Sequence, residues 1–360
     1  IRLSLVGSEM CIRDRSDAEN DPVMLLCFLP KLQTFYPREY FMKFIRKFSI
    51  ARLGEREFVY EEVSQHPVFR HFKPFEGMAP RGNCDFSGAV DIFNFSDEPT
   101  FPSIIEKVYQ SAPMLTADEE IFEWIDILDS ALNCSESFVF VELGAGYGRW
   151  AARAYKIAKM LDLSDSNIHL ITVEPELRHS AWLHQHFELN SITCNHQHFE
   201  CAVSDFSGDM DFYVQRPSDT NVNSAASQWF GQALAHSGWK NAAVEKVRVE
   251  RLETILNSLS SLPIIDLIDL DLQGEDYKVL QDSAEILQKR VKKVHVGTDS
   301  KEEEKKIREL FRKLKWDQVW DHQTTGLRKT EFGQIQFVDG VQTYTNPNLY
   351  KVNGANTLVG

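Results

Sequence analysis

The stretch FVFVELGAGYGRWAARAYKIAKM, residues 138–160, decides the fold. A six-residue apolar run, interrupted only by Glu142, reads as a buried strand. Gly144, Gly146 and Gly148 follow at alternate positions, and Trp150, Ala154, Ile157 and Leu161 then recur at helical spacing. Glycine adopts positive φ without strain and lets a ligand approach the backbone closely. The spacing is GxGxG, whereas dinucleotide sites use GxGxxG, so the turn leans away from a nicotinamide cofactor. Alone, such a turn is a weak signal, because glycine-rich turns after strands also occur for purely structural reasons.

Alternation continues outward from this unit. NIHLITVEP (167–175) reads as a second strand and ELRHSAWLHQHFELN (176–190) as a second helix. HFECAVSD (198–205) reads as a third strand, with DMDFYV (209–214) as a hairpin partner. PIIDLIDLDL (263–272) is a further strand, EDYKVLQDSAEILQK (275–289) one helix and KKVHVGTD (292–299) the next strand. KEEEKKIRELFRKLKW (301–316) stacks Ile307, Leu310, Phe311 and Leu314 on one helical face, and GQIQFVDG (333–340) reads as a closing edge strand. This pattern predicts an α/β fold with a mostly parallel central sheet, helices on both faces and an antiparallel edge strand. Upstream, TADEEIFEWIDILDSAL (116–132) predicts a helix capped by Thr116 with Glu119 as its capping-box partner.

The domain boundaries expected are a non-native tail over 1–15, a mostly helical N-terminal region over 16–115, the main domain over 116–340 and a C-terminal tail over 341–360. LSLVGSEMCIRDR (3–15) resembles a translated adapter sequence and is set aside from the fold. With 360 residues and 43% hydrophobic content the chain can bury a sizeable core. A net charge of −14 argues against general nucleic-acid binding. The apolar run VMLLCFL (23–29) is too short to span a bilayer, and the six cysteines show no CxxC pair. The expectation is a cytoplasmic protein with reduced thiols, no membrane partner and no nucleic-acid partner.

Chemistry concentrates at the strand ends. Glu174 closes the second strand, where a carboxylate can hold two ribose hydroxyls. Asp269 and Asp271 share one face of LIDLDLQG, with His295 on the next strand as a further candidate base. Two acids on one face could hold a divalent cation, but no third ligand is identifiable, and no metal is expected. His184, His186, His196 and His198 lack the spacing of a zinc site. Asn221, Asn223, Ser224 and Trp229 lie in a long polar insertion, 215–243, expected to cover the acceptor as a lid.

Three stretches together resemble the FkbM family of S-adenosylmethionine-dependent methyltransferases: VELGAGYGRW (141–150), VEPELRHSAWLHQHFELN (173–190) and IIDLIDLDLQGEDYKVL (264–280). CAVSDFSGDMDFYV (201–214) and VERLETIL (249–256) fit the same frame. The third block departs from the family pattern at Asp269, Gln273 and Asp276, and VHVGTDS (294–300) replaces a glutamate-bearing strand. The resemblance implies a Rossmann-like methyltransferase using S-adenosylmethionine and methylating a hydroxyl of a small-molecule or glycan acceptor. It implies that Glu142, Gly144, Ala145, Gly146 and Gly148 line the methionine end of the cofactor. Glu174 would hold the ribose, and Ala202, Val203 and Ser204 would border the adenine. Asp271 matches the family's motif aspartate and is expected to position cofactor or substrate, while Asp269 and His295 complete the expected catalytic set as candidate bases from their strand positions. The alternative is a protein of the same fold that binds a nucleoside or a partner without turnover.

Overall fold

The computed structural model describes residues 63–80, 83–91, 106–109, 111–214, 231–232 and 243–351. All of these lie within one compact unit, Tyr60–Gly360, and the residues before it lie outside the described ones. So do the expected tail and the 215–230 and 233–242 parts of the insertion, including Asn221, Asn223, Ser224 and Trp229.

Seven strands form the central sheet: β1 Phe138–Leu143, β2 Ile168–Val173, β3 Asn195–Phe199, β4 Leu267–Leu270, β5 Lys293–Thr298, β6 Asp317–His322 and β7 Gly340–Thr345. Their order across the sheet is β6-β7-β5-β4-β1-β2-β3. β7 pairs antiparallel with both β5 and β6, and the other neighbours are parallel. The antiparallel strand therefore lies one place in from the edge. It is not the expected GQIQFVDG segment, because Gly333–Phe337 instead pairs with Gly326–Thr330 in a separate two-stranded sheet. All six residues of β7 are buried, so the domain continues past residue 340 and no tail begins at 341. Asn346 extends it further, its side chain donating to the Gln288 and Val291 carbonyls.

Helices cover both faces: α1 Ile121–Leu132, α2 Arg149–Met160, α3 Leu177–Leu189, α4 Leu252–Ser258, α5 Asp276–Asp282, α6 Ala284–Arg290 and α7 Lys301–Leu314. Strand alternation sorts the core. Phe138, Phe140 and Leu267 face α1 and α2, while Val139, Val141, Ile268 and Leu270 pack against the α4–α7 side. The segment expected as one helix over 275–289 is two, divided at Ser283. α7 has the expected form, with Ser300 accepting the Glu303 N–H at its start, acids in the first turn and Arg312 and Lys313 in the last.

The expected cap of α1 is replaced. Thr116 donates its hydroxyl to Asp118, and Glu119 accepts the Val338 N–H at 2.6 Å, so it ties the helix start to the loop before β7. The described residues before α1 are 3-10 turns (Val63–Gln65, Pro67–Arg70) and short strand pairs rather than α-helices. Val68, Phe69, Phe72 and Phe86 pack into the same core as Phe122 and Phe138. From residue 63 onward the N-terminal region is thus part of the domain. Among the described residues no helix is long and apolar enough to cross a membrane.

A small four-stranded sheet stands beside the carboxyl ends of the central strands. Its order is Gly231–Gln232, Gly208–Val214, Ala243–Arg251, Ala202–Ser204. The expected third strand is therefore divided between two sheets: Asn195–Phe199 belongs to the central one and Ala202–Ser204 to the small one.

Candidate active site

The strand order reverses between β1 and β4, the switch point where ligands of open α/β sheets bind. A cleft opens there. Its floor is Gly144, Gly146, Glu174 and Asp271, and Ala202, Val203, Met210 and Phe212 of the small sheet form one wall.

The three glycines do three different things. An added Cβ at Gly144 would lie 2.1 Å from the Asp271 carbonyl oxygen, so glycine lets the turns after β1 and β4 touch. At Gly148, φ +71°, a Cβ would meet Phe187 and Leu183 at 2.8 and 3.0 Å, and glycine seats α2 against α3. At Gly146, φ +52°, a Cβ would meet nothing within 4 Å, because this residue faces the open cleft.

Glu174 is joined to that turn. Its carboxylate accepts the Gly146 N–H at 2.8 Å and the Glu176 N–H at 2.9 Å, with His179 Nδ1 at 3.3 Å. Burial disfavours its charge, but His179 and the two amides outweigh that and hold the carboxyl below its ordinary value. The group lining the cleft is therefore a fixed carboxylate.

Other expected contacts lie behind the lining. Glu142 accepts the Trp150 and Ala151 N–H groups at 3.3 and 2.8 Å, which caps α2. Burial and the neighbouring Asp269 push its carboxyl well above the usual range. Ala145 is buried and donates its N–H to the Val173 carbonyl, and Gly148 is spent on packing. Ser204 is buried too, but its hydroxyl donates to Glu275 Oε2 at 3.0 Å, and Glu275 does line the cleft. Sequence reasoning missed Met210, Phe212, Leu272 and Gln273. The alternation along Gly208–Val214 was the signal for the first two, since it puts Met210 and Phe212 on one strand face.

Asp271 is the one member of the expected catalytic set that lines the cleft. It is crowded by the protein yet open to the cleft, and the desolvation raises its carboxyl against the donation from Gln273 Nε2 at 2.8 Å. Asp269 and His295 lie off the lining, in register with one another on β4 and β5. They belong to a polar row that crosses the sheet: His198, Thr172, Glu142, Asp269, His295 and Thr343 are successive register partners from β3 to β7. Within it Thr172 Oγ1 holds His196 Nε2 and His198 Nδ1, each at 2.8 Å, so these two histidines have a structural partner.

Fold and cleft define a Rossmann-like α/β protein with its ligand site at the ends of β1, β2 and β4. Residues 142–317 match the methyltransferase FkbM domain, so this stretch is similar to that family, and methyltransferase activity is the function the match supports. A protein of Jannaschia sp. (strain CCS1) named "Putative methyltransferase" is 22% identical over 233 residues, 64% of this chain and 80% of the relative. Among solved structures, an FkbM methyltransferase from Methylobacillus flagellatus KT aligns at 11% identity and TM-score 0.36, covering 64% of this chain and 56% of its own. A precorrin-6y C5,15-methyltransferase from Geobacter metallireducens GS-15 aligns at 12% identity and TM-score 0.35, over 64% and 90%. At these scores the structural likenesses carry no argument, and the assignment rests on the family match.

Proposed function

We propose that the domain transfers a methyl group from S-adenosylmethionine to a hydroxyl oxygen of a small molecule or sugar-containing acceptor. The observation that carries this reading is the bond from Gly146 to Glu174, which makes the turn after β1 and the acid after β2 one recognition unit. A fixed carboxylate at that place suits two adjacent ribose hydroxyls. The residues fit the cofactor in other respects. Gly146 leaves room beside its backbone, and Ala202, Val203 and Phe212 offer an apolar wall to a planar ring. When bound, the cofactor supplies an electrophilic methyl carbon on a cationic sulfur, and transfer leaves S-adenosylhomocysteine.

The chain must hold the acceptor oxygen in line with that methyl and take up its proton. Asp271 is placed for both. Its carboxyl is open to the cleft, and its raised affinity for a proton makes it a better base than an ordinary aspartate. As the new C–O bond forms, the hydroxyl proton would pass to Asp271.

The test is S-adenosylhomocysteine release over a panel of hydroxylated acceptors, with binding of S-adenosylhomocysteine measured alongside. Turnover is expected with at least one acceptor. Asp271→Asn should bind the product as tightly as the parent but turn over roughly 10²–10⁴-fold more slowly. Binding without release from any acceptor would favour a nucleoside-binding protein without turnover, and absence of binding would overturn the cofactor assignment itself.

A further inference from the structure

Beneath the α1 face of the sheet lies a second polar centre, separate from the cleft lining. Glu123 of α1, Asp269 of β4 and His295 of β5 each present one ligand atom within 4.8 Å of the others. Asp269 is 5% exposed and His295 4%, while Glu123 is half-buried and gives the centre an edge toward the surface.

The hydrogen bonds around this centre are lopsided. His295 uses Nδ1, with Asp126 Oδ2 at 2.8 Å and Thr343 Oγ1 at 3.0 Å, which leaves Nε2 as the uncommitted ring nitrogen. Asp269 receives no N–H or hydroxyl from the described residues, and its hydrogen-bonding neighbour is the carboxyl of Glu123. Two carboxyl groups facing each other with an imidazole alongside need a positive charge between them, supplied either by a shared proton or by a cation. The nearby cations are committed elsewhere: Lys293 to Asp126 and Asp129, and Arg153 to Asp85 and Glu120.

We propose that this centre binds one divalent transition-metal cation, with Glu123, Asp269 and His295 as its protein ligands. His295 would bind through Nε2 with Nδ1–H donated to Asp126, the arrangement in which a carboxylate behind the ring fixes its tautomer and orientation. Two carboxylates and one imidazole suit Mn²⁺, Fe²⁺, Co²⁺ or Zn²⁺ better than Ca²⁺ or Mg²⁺, which prefer oxygen alone. The ion would tie α1 to β4 and β5 from below the cleft. Its role is in holding the sheet and helix together, and it stands whether or not the methyl-transfer reading does.

The experiment is calorimetric titration of the metal-stripped full-length chain with Mn²⁺, Co²⁺ and Zn²⁺, together with the visible spectrum of the Co²⁺ form and the melting temperature. One equivalent should bind, the Co²⁺ form should show d–d absorption, and the bound form should melt higher. Asp269→Asn and Glu123→Gln, which keep size and shape, should each weaken uptake roughly tenfold or more. No saturable uptake by the parent chain would overturn the proposal and leave a shared proton at the centre. Uptake of the parent strength in both variants would also overturn it, by placing the ion elsewhere. If Asp269→Asn fails to fold, Glu123→Gln decides alone, since Glu123 sits half-exposed on a helix.

Discussion

Gly146 donates its backbone N–H to Glu174 Oε2 at 2.8 Å, and through that bond two loops from different strands hold one shape. The carboxylate is orientated before any ligand arrives, so little ordering remains to be done on binding.

Replacing Glu174 by glutamine removes the charge from that acceptor. Hydrogen bonds to a charged group contribute about 1.5–3 kcal/mol each, so S-adenosylhomocysteine should bind roughly 10- to 100-fold more weakly by calorimetry. The pH dependence has a definite sign. The folded carboxyl lies below its unfolded value, so its contribution to stability is present above the unfolded value and is lost as pH falls through the folded one. Acid unfolding followed by circular dichroism should therefore be shallower below about pH 5 in Glu174→Gln.

The glycines separate stability from binding. Gly144→Ala forces a Cβ to 2.1 Å from the Asp271 carbonyl at φ +78°, and should destabilise the domain by roughly 2–5 kcal/mol. Gly146→Ala meets open space and costs only the left-handed backbone, about 1–2 kcal/mol. Its larger effect should be on ligand binding. Denaturant melts alongside binding isotherms check both, and the opposite ranking in stability would contradict the roles assigned.

Lys293 is buried in β5 between Asp126 and Asp129 of α1. Burial opposes the Asp126 charge, but Lys293 and His295 outweigh it and hold that carboxyl below its ordinary value. Lys293→Met leaves two buried acids without their cation, and a loss of about 3–5 kcal/mol is expected in a denaturant titration.

Glu119 behaves in the other direction. Burial pushes its carboxyl up to about 7, so the folded state holds its proton where the unfolded state releases it. Stability from this group is fully present below the unfolded value and is lost as pH rises toward 7. Glu119→Gln should thus gain in melting temperature relative to the parent between pH 5 and pH 8. A pH-independent difference would show that the group does not titrate in this window.

Much of the fold was legible in the sequence because β1, β2 and β4 are buried on both faces and read as largely apolar runs. β7 was not. GVQTYT carries Gln342 and Thr343, and these polar side chains are buried because the fold supplies partners: Asp126 for Thr343, and the Glu304 carbonyl and Asp321 for Gln342. Those partners lie far off in the chain, so a local pattern cannot announce them. The same holds for the candidate site. Gly146 and Glu174 were readable from strand-end positions, as was Asp271. Glu142 has the same signature, yet its carboxylate caps α2. Asp269 and His295 were readable as polar residues on two strands, but their third companion, Glu123, comes from a helix whose sequence showed only its apolar stripe.

The most direct measurement is calorimetric titration of the intact chain with S-adenosylhomocysteine, repeated on Gly146→Trp, whose side chain would fill the open space beside the turn. Saturable one-site binding by the parent, abolished in a variant that still shows the parent's circular dichroism, is the expected result. Failure of the folded parent to bind, or undiminished binding by Gly146→Trp, would contradict the assignment of this cleft to the cofactor.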